Sequence, residues 1–267
     1  MERAGPRVLV VGGLEAAGRV GLLADAEAVR SRAGAPVLVA SAITAQGRST
    51  FSSQPVSPAL LASQIRAARE LGRLDAVKLG VVPGLAQLTA VRRALAGLDT
   101  PWVVDPVVRA SSGGRLSTLS APAYRSLAGP RVWITPNAVE AGWLLGAPAP
   151  RTVAEASAAA RVLLELGFGG VVVKGGHLPG ASVVDVLATR QGLWVFRSPR
   201  LRRSAYHRGT GCRLASALAT ELGRGRSPAQ ALTRARAQVR TYLRSTPGAK
   251  HRGRINRGAG SGGRQRR

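Results

Sequence analysis

Residues 207–219, HRGTGCRLASALA, hold the one cysteine of the chain. Cys212 follows Gly209-Thr210-Gly211 and opens a run with helical spacing. Glycines let a backbone turn so that successive amides point one way, and the first amides of a helix have no partner inside it. Gly209, Thr210 and Gly211 can therefore cradle an anion such as a transferring phosphoryl group. A thiol at the same helix start is expected to have a lowered pKa, able to accept a proton or stay a thiolate. An ordinary glycine turn before a small buried cysteine fits the same residues, and the segment alone slightly favours that reading.

Three further segments carry chemistry-bearing groups. In VVDPVVRASSGG (103–114), Asp105 ends an apolar run and is followed by a proline; it could bind Mg²⁺ or orient a substrate hydroxyl, although Asp-Pro is also ordinary turn chemistry. In TPNAVEAGWLL (135–145), Asn137 and Glu140 stand three apart, the spacing of a helix capping box. Glu140 could equally sit near Mg²⁺, through water, because that ion keeps much of its hydration shell. In VVVKGGH (171–177), Lys174 precedes Gly175 and Gly176, which would let a nucleotide phosphate approach; His177 reads as a loop residue.

Short valine-rich runs bounded by Gly, Pro or Asp predict buried strands over 7–13, 35–42, 75–82, 101–106, 131–137 and 169–176. Helical patterns fall between them, over 19–32, 57–72, 84–97, 120–128, 137–145 and 152–167, and two more follow over 211–223 and 228–243. Ser57-Pro58 reads as a helix cap with proline at the first helical position, and Thr152 with Glu155 as a capping box. Residues 181–199 read as a hairpin turning at Gln191-Gly192. Regular alternation of strand and helix predicts a mostly parallel sheet with helices on both faces, an α/β/α sandwich. Ligands bind beyond the carboxyl ends of such strands, where Asp105, Asn137 and Lys174 all fall.

The 267 residues are enough for one substantial core, and no apolar run reaches the length needed to cross a membrane. A single cysteine allows no internal disulfide, so the cytoplasm is the expected compartment. Net charge is +26, and residues 200–267 carry 18 basic residues against one acid, Glu221. From about Thr246 the sequence is rich in Gly and Arg without apolar periodicity, so 1–245 is expected to be the folded domain and 246–267 a disordered basic tail. Only three of the 39 basic residues are lysine: Lys78, Lys174 and Lys250. This arginine bias reads better as compositional than as a nucleic-acid surface, since Tyr206 and Tyr242 are isolated and no aromatic-interleaved basic patch exists.

Together the four segments give a strand-end Asp, an Asn-x-x-Glu, a Lys-Gly-Gly and a Gly-Thr-Gly cradle, in that order. This resembles the ribokinase superfamily, and within it the hydroxymethylpyrimidine kinase/phosphomethylpyrimidine kinase family of thiamine biosynthesis. The family's motifs stand here at Val104–Val107, Ser112-Gly113, Ile134–Ala141, Val173–His177 and Gly209–Cys212. Upstream, Gly13, Gly18, Gly21 and Asp25 fit its first loop, where Glu15 replaces an aspartate and Arg19 a glycine. Lys78 and Gly80 fit, whereas Val81 replaces a methionine. His207-Arg208 replaces Thr-His, Arg213 replaces a small residue, and Ser111 replaces a common lysine.

The resemblance implies a ribokinase-like three-layer fold, a homodimer, and MgATP-dependent phosphorylation of an aminopyrimidine alcohol and then of its monophosphate. It implies that Gln46, Asp25, Gly13 and Val107 bind the pyrimidine, and that Lys174, Gly175 and Asn137 bind ATP. Asp105 and Glu140 would organise Mg²⁺, Gly209–Gly211 the transferring group, and Cys212 would be the base. Arg208 and Arg213 are expected to lower the thiol pKa or add phosphate contacts. Three alternatives stay open: a pyridoxine/pyridoxal kinase of the same fold, a degenerate ligand-binding homologue without turnover, and polyanion binding through the tail.

Overall fold

The computed structural model describes residues 5–47, 50–110, 113–201 and 207–245. The tail 246–267 and Ser111, Ser112 and Tyr206 lie outside the described residues.

The valine-rich runs form a nine-stranded sheet. In chain order the strands are β1 (Arg7–Glu15), β2 (Ala35–Gln46), β3 (Phe51–Pro55), β4 (Ala76–Leu79), β5 (Trp102–Val104), β6 (Val132–Ile134), β7 (Gly170–Val173), β8 (Ser182–Thr189) and β9 (Gly192–Pro199). Their spatial order is β3-β2-β1-β4-β5-β6-β7-β8-β9. From β2 through β7 every neighbour is parallel; β3 at one edge and the β8–β9 hairpin at the other are antiparallel. The expected mostly parallel sheet is therefore present.

The helices are α1 (Gly21–Ser31), α2 (Pro58–Glu70), α3 (Leu85–Ala94), α4 (Ala121–Arg125), α5 (Ala138–Leu145), α6 (Val153–Glu165), α7 (Thr210–Gly223) and α8 (Pro228–Ser245). Strand alternation sorts them into two layers. Val8 and Val10 of β1 pack with residues of α1, α7 and α8, whereas Leu9 and Val11 pack with α2, α3 and α5. The result is the ribokinase-like three-layer α/β/α arrangement, with an apolar core on each face of the sheet.

Local chemistry sets the helix starts. Ser57 accepts a hydrogen bond from the Leu60 amide with Pro58 at the first helical position. Thr152 accepts from the Glu155 amide at 3.1 Å, and the Glu155 carboxylate reaches back to the Arg151 amide at 2.7 Å and to the Thr152 amide beside it. Strand β3 was not expected from the sequence: Phe51-Ser-Ser-Gln-Pro has no apolar alternation and exists by pairing with the end of β2. The hairpin also turns one residue earlier than expected, at Arg190-Gln191, because β9 already starts at Gly192.

Candidate active site

The carboxyl ends of the parallel strands open on a cavity of about 990 Å³. Each parallel strand delivers a polar group there: Glu15 from β1, Gln46 from β2, Lys78 from β4, Asp105 just beyond β5, Asn137 just beyond β6 and Lys174 just beyond β7. Helix α7 enters from above with Gly209, Thr210, Gly211 and Cys212 on the cavity wall.

Lys174 is the hub at one end. Its Nζ lies 2.6 Å from Asp105 Oδ1 and 3.8 Å from Glu140 Oε2. Burial alone would push this ammonium down, but the carboxylates of Asp105 and Glu140 outweigh it, and the net shift is upward. Burial pushes the Glu140 carboxyl up, opposed by Lys174 and by its hydrogen bond from the Asn137 amide. The Asn137/Glu140 capping box is complete: each side chain accepts from the other's amide, at 2.9 and 2.7 Å. Helix capping and orientation of Glu140 toward Lys174 are thus achieved by one arrangement.

The cradle sits directly over this hub. Gly209 has φ of +74°, and a Cβ there would meet the Arg19 carbonyl oxygen at 2.6 Å. A Cβ on Gly211 would lie 3.3 Å from Lys174 Nζ and 3.8 Å from Asp105 Oδ2. The first bond of α7 runs from the Arg213 amide to the Gly209 carbonyl, which leaves the Gly211 and Cys212 amides outside the helix's own ladder. Two glycines thus put a helix start, a lysine and a carboxylate around one small volume.

Within electrostatic reach of Cys212 and Asp105, Asp25 and Lys78 form a fully buried ion pair at 2.8 Å, and Ser216 Oγ donates to the second Asp25 oxygen at 2.7 Å. Both oxygens of Asp25 are therefore engaged by the protein, tying Lys78 and α7 together at the cavity wall. Burial pushes the Asp25 carboxyl up against the opposing pull of Lys78. Gly13 stands at the irregularity in the β1–β2 register, and Val107 follows Asp105 in the loop; both line the cavity. Gln46 donates to Thr44 Oγ1 at 3.3 Å and accepts from Arg208 at 2.8 Å.

Cys212 corrects one expectation. Its thiol is not depressed by the helix start: burial pushes it up to about 11, Asp25 and Asp105 add to the rise, and Lys78 and a hydrogen bond from the Gly21 amide only partly oppose it. Neither flanking arginine faces the sulfur. Arg208 reaches Gln46, and Arg213 is buried, paired with Glu27 and 3.9 Å from the centre of the Tyr242 ring. Gly175 carries a second correction. Its amide donates to Asp185 Oδ1 at 2.9 Å, and a Cβ would fall 1.6 Å from the Val184 carbonyl. The close approach that this glycine permits is to β8.

Sequence reasoning missed three participants. Ser216 stands one helical turn after Cys212, so its spacing could have placed it on the same face. Asp185 is a charged residue inside an apolar strand run, an available signal; it binds both the Gly175 amide and Arg236 Nε, at 2.9 and 2.7 Å. The Arg208–Gln46 bond joins residues 162 apart and had no local signal.

Among the described residues no group of three or more His, Cys, Asp or Glu could hold a metal ion. Asp105 and Glu140, both facing Lys174, give a two-carboxylate donor set. That fits Mg²⁺, which takes one or two carboxylates plus phosphate oxygens and water. No helix among the described residues is long and apolar enough to cross a membrane.

The sequence model of the phosphomethylpyrimidine kinase family matches residues 16–258. The hydroxymethylpyrimidine/phosphomethylpyrimidine kinase of Escherichia coli K12 is 36% identical over 215 residues, covering 79% of this chain and 80% of that protein. The chain belongs to the phosphomethylpyrimidine kinase family. The chloroplastic thiamine biosynthetic bifunctional enzyme TH1 of Arabidopsis thaliana is also 36% identical over 228 residues, 83% of this chain, but the chain spans only 43% of its length. Among solved structures, the phosphomethylpyrimidine kinase of Clostridium difficile 630 superposes with a TM-score of 0.75 at 26% identity, covering 89% of this chain and 99% of that one. The Staphylococcus aureus pyridoxal kinase in complex with AMP-PCP superposes with a TM-score of 0.82 over 93% of this chain and 91% of that one, at 23% identity, which speaks for the fold.

Proposed function

We propose that this chain transfers the γ-phosphoryl group of MgATP to 4-amino-5-hydroxymethyl-2-methylpyrimidine, and then a second one to the resulting monophosphate. The observation that carries the reading is the convergence of the Gly209–Gly211 cradle on the Lys174–Asp105 pair, in a cavity whose wall also presents Gln46. An in-line displacement with a loose transition state asks the protein mainly for positioning and charge stabilisation. In the first transfer the hydroxymethyl oxygen forms a bond to the γ-phosphorus, the bond from that phosphorus to the ADP oxygen breaks, and the hydroxyl proton passes to water or to the small thiolate fraction of Cys212; in the second, an oxygen of the monophosphate is the nucleophile and ADP again leaves.

In this reading the Gly211 and Cys212 amides hold the transferring group, Lys174 stands by the nucleotide phosphates, and Asn137 fixes Glu140. Asp105 and Glu140 would hold Mg²⁺, which would offset the charge of the phosphate oxygens. Cys212 is the base candidate beside the cradle, but a thiol with a pKa pushed up to about 11 is mostly protonated near neutrality, so base catalysis contributes modestly. Gln46 suits an aminopyrimidine because a carboxamide both donates and accepts, matching an amine beside a ring nitrogen.

A pyridoxine kinase reading draws on the similarity of fold to pyridoxal kinases. ADP release measured separately with the pyrimidine alcohol, its monophosphate and pyridoxine tests the choice. Turnover with both pyrimidines supports the proposal; turnover with pyridoxine alone overturns it.

A further inference from the structure

Arg208 precedes the cradle, yet its guanidinium turns away from it and donates to Gln46 Oε1 at 2.8 Å. A carboxamide is nearly symmetric in shape, and a flip exchanges its acceptor for its donors. A guanidinium only donates, so the group facing it must be the oxygen. Gln46 Nε2 is thereby directed to Thr44 Oγ1, 3.3 Å away.

Arg208 is itself held in place. The Tyr242 hydroxyl donates to its carbonyl oxygen at 3.1 Å, and the Arg213 guanidinium lies 3.9 Å over the Tyr242 ring. Arg213 in turn pairs with Glu27 of α1. The next residue, Gly209, is fixed at φ +74° against the Arg19 carbonyl. Arg208 is thus anchored by α8 behind and by the cradle ahead, and its tip closes on the end of β2.

We propose that Arg208 is a specificity-determining positioning residue, which locks the Gln46 carboxamide with its oxygen as acceptor and so selects rings that carry an amine beside the reactive alcohol. The inference rests on the function proposed above. With Oε1 fixed, its second lone pair suits a ring amine and the remaining Nε2 hydrogen suits a ring nitrogen. An amine on an aromatic ring only donates, so a flipped carboxamide would reject it. A hydroxyl donates and accepts, so a ring bearing hydroxyl groups and no amine, such as pyridoxine, adapts to either orientation and gains little from the lock.

The test compares the wild-type chain with Arg208→Met, which keeps the aliphatic stem without a donor, and Arg208→Lys, which keeps a donor-only head. Steady-state KM and kcat are measured for the aminopyrimidine alcohol and for ATP, with calorimetric Kd for the aminopyrimidine and pyridoxine as a competitor. The expected result for Arg208→Met is a rise of about tenfold in KM and Kd for the aminopyrimidine, the scale of one charge-assisted hydrogen bond. The pyridoxine inhibition constant and the ATP KM should stay within about twofold, and Arg208→Lys should recover part of the loss. Equal weakening of both rings, or an unchanged aminopyrimidine KM in an active enzyme, overturns the inference and leaves the proposed function standing. A wild-type chain that neither binds nor phosphorylates the aminopyrimidine overturns both.

Discussion

The raised thiol of Cys212 can be measured directly by alkylation with iodoacetamide across pH. The structure moves this group from 9.0 to about 11, through burial first and the facing carboxylates second. An upward shift means less thiolate at any given pH. At pH 7.5 the thiolate fraction falls from about 3% for an unshifted thiol to about 0.03%, a factor of about 100. The more basic thiolate is intrinsically more nucleophilic, which returns about tenfold. Cys212 should therefore react about tenfold more slowly than an unfolded control at pH 7.5. Its rate should keep climbing about tenfold per pH unit through pH 10, without a plateau. A plateau below pH 9, or a rate above that of the control, would refute the electrostatic argument and restore a low-pKa thiolate. The catalytic corollary is that Cys212→Ala lowers turnover by about tenfold with the ATP KM nearly unchanged, since a mostly protonated thiol adds little as a base; unchanged turnover removes Cys212 from the proton path.

Other perturbations probe the hub, the cradle and the scaffold. Lys174→Met leaves Asp105 and Glu140 facing each other without their shared ammonium, so the KM for ATP should rise at least about tenfold in steady-state assays; an unchanged KM contradicts its place by the phosphates. Gly211→Ala puts a methyl 3.3 Å from Lys174 Nζ and should cut turnover about tenfold with a small change in melting temperature. Gly209→Ala, by contrast, forces an L residue to φ +74° against a carbonyl and should lower stability by about 1–3 kcal/mol in urea titrations. Glu221, only 1% exposed, pairs with Arg32 at 2.6 Å and stands within 4.0 Å of Arg226 and Arg234. Glu221→Gln should destabilise by about 2–4 kcal/mol, measured the same way, with kinetic constants little changed.

The parallel strands were legible because each is a valine run stopped by Gly, Pro or Asp, and strands covered on both faces need no alternation. β3 was not, because its pairing with β2 rather than its own composition makes it a strand. The four motif segments located the Asp105–Glu140–Lys174 hub, since Asp105, Asn137 and Lys174 each follow a strand end, the topology puts those ends side by side, and Asn137 caps the helix that carries Glu140. What stayed hidden is what depends on distant partners. Local sequence placed Cys212 at a helix start and predicted a low pKa; burial between Asp25, Lys78 and Asp105 reversed the sign. Local sequence likewise placed Arg213 beside the cradle, but at that helical position its side chain points between α1 and α8, to Glu27 and Tyr242. Gly175 looked like a phosphate contact, and its need for a glycine comes from β8.

The central claim is that the volume between Gly211, Lys174 and Asp105 is where phosphoryl groups pass to an aminopyrimidine alcohol. A mass-spectrometric time course of the purified chain with the aminopyrimidine alcohol, ATP and Mg²⁺ tests it most directly. The account predicts a monophosphate that rises first and is then consumed as a pyrophosphate appears, with both steps slowed in Gly211→Ala. ATP consumed without any phosphorylated pyrimidine, or a Gly211→Ala chain as fast as the wild type, would contradict it.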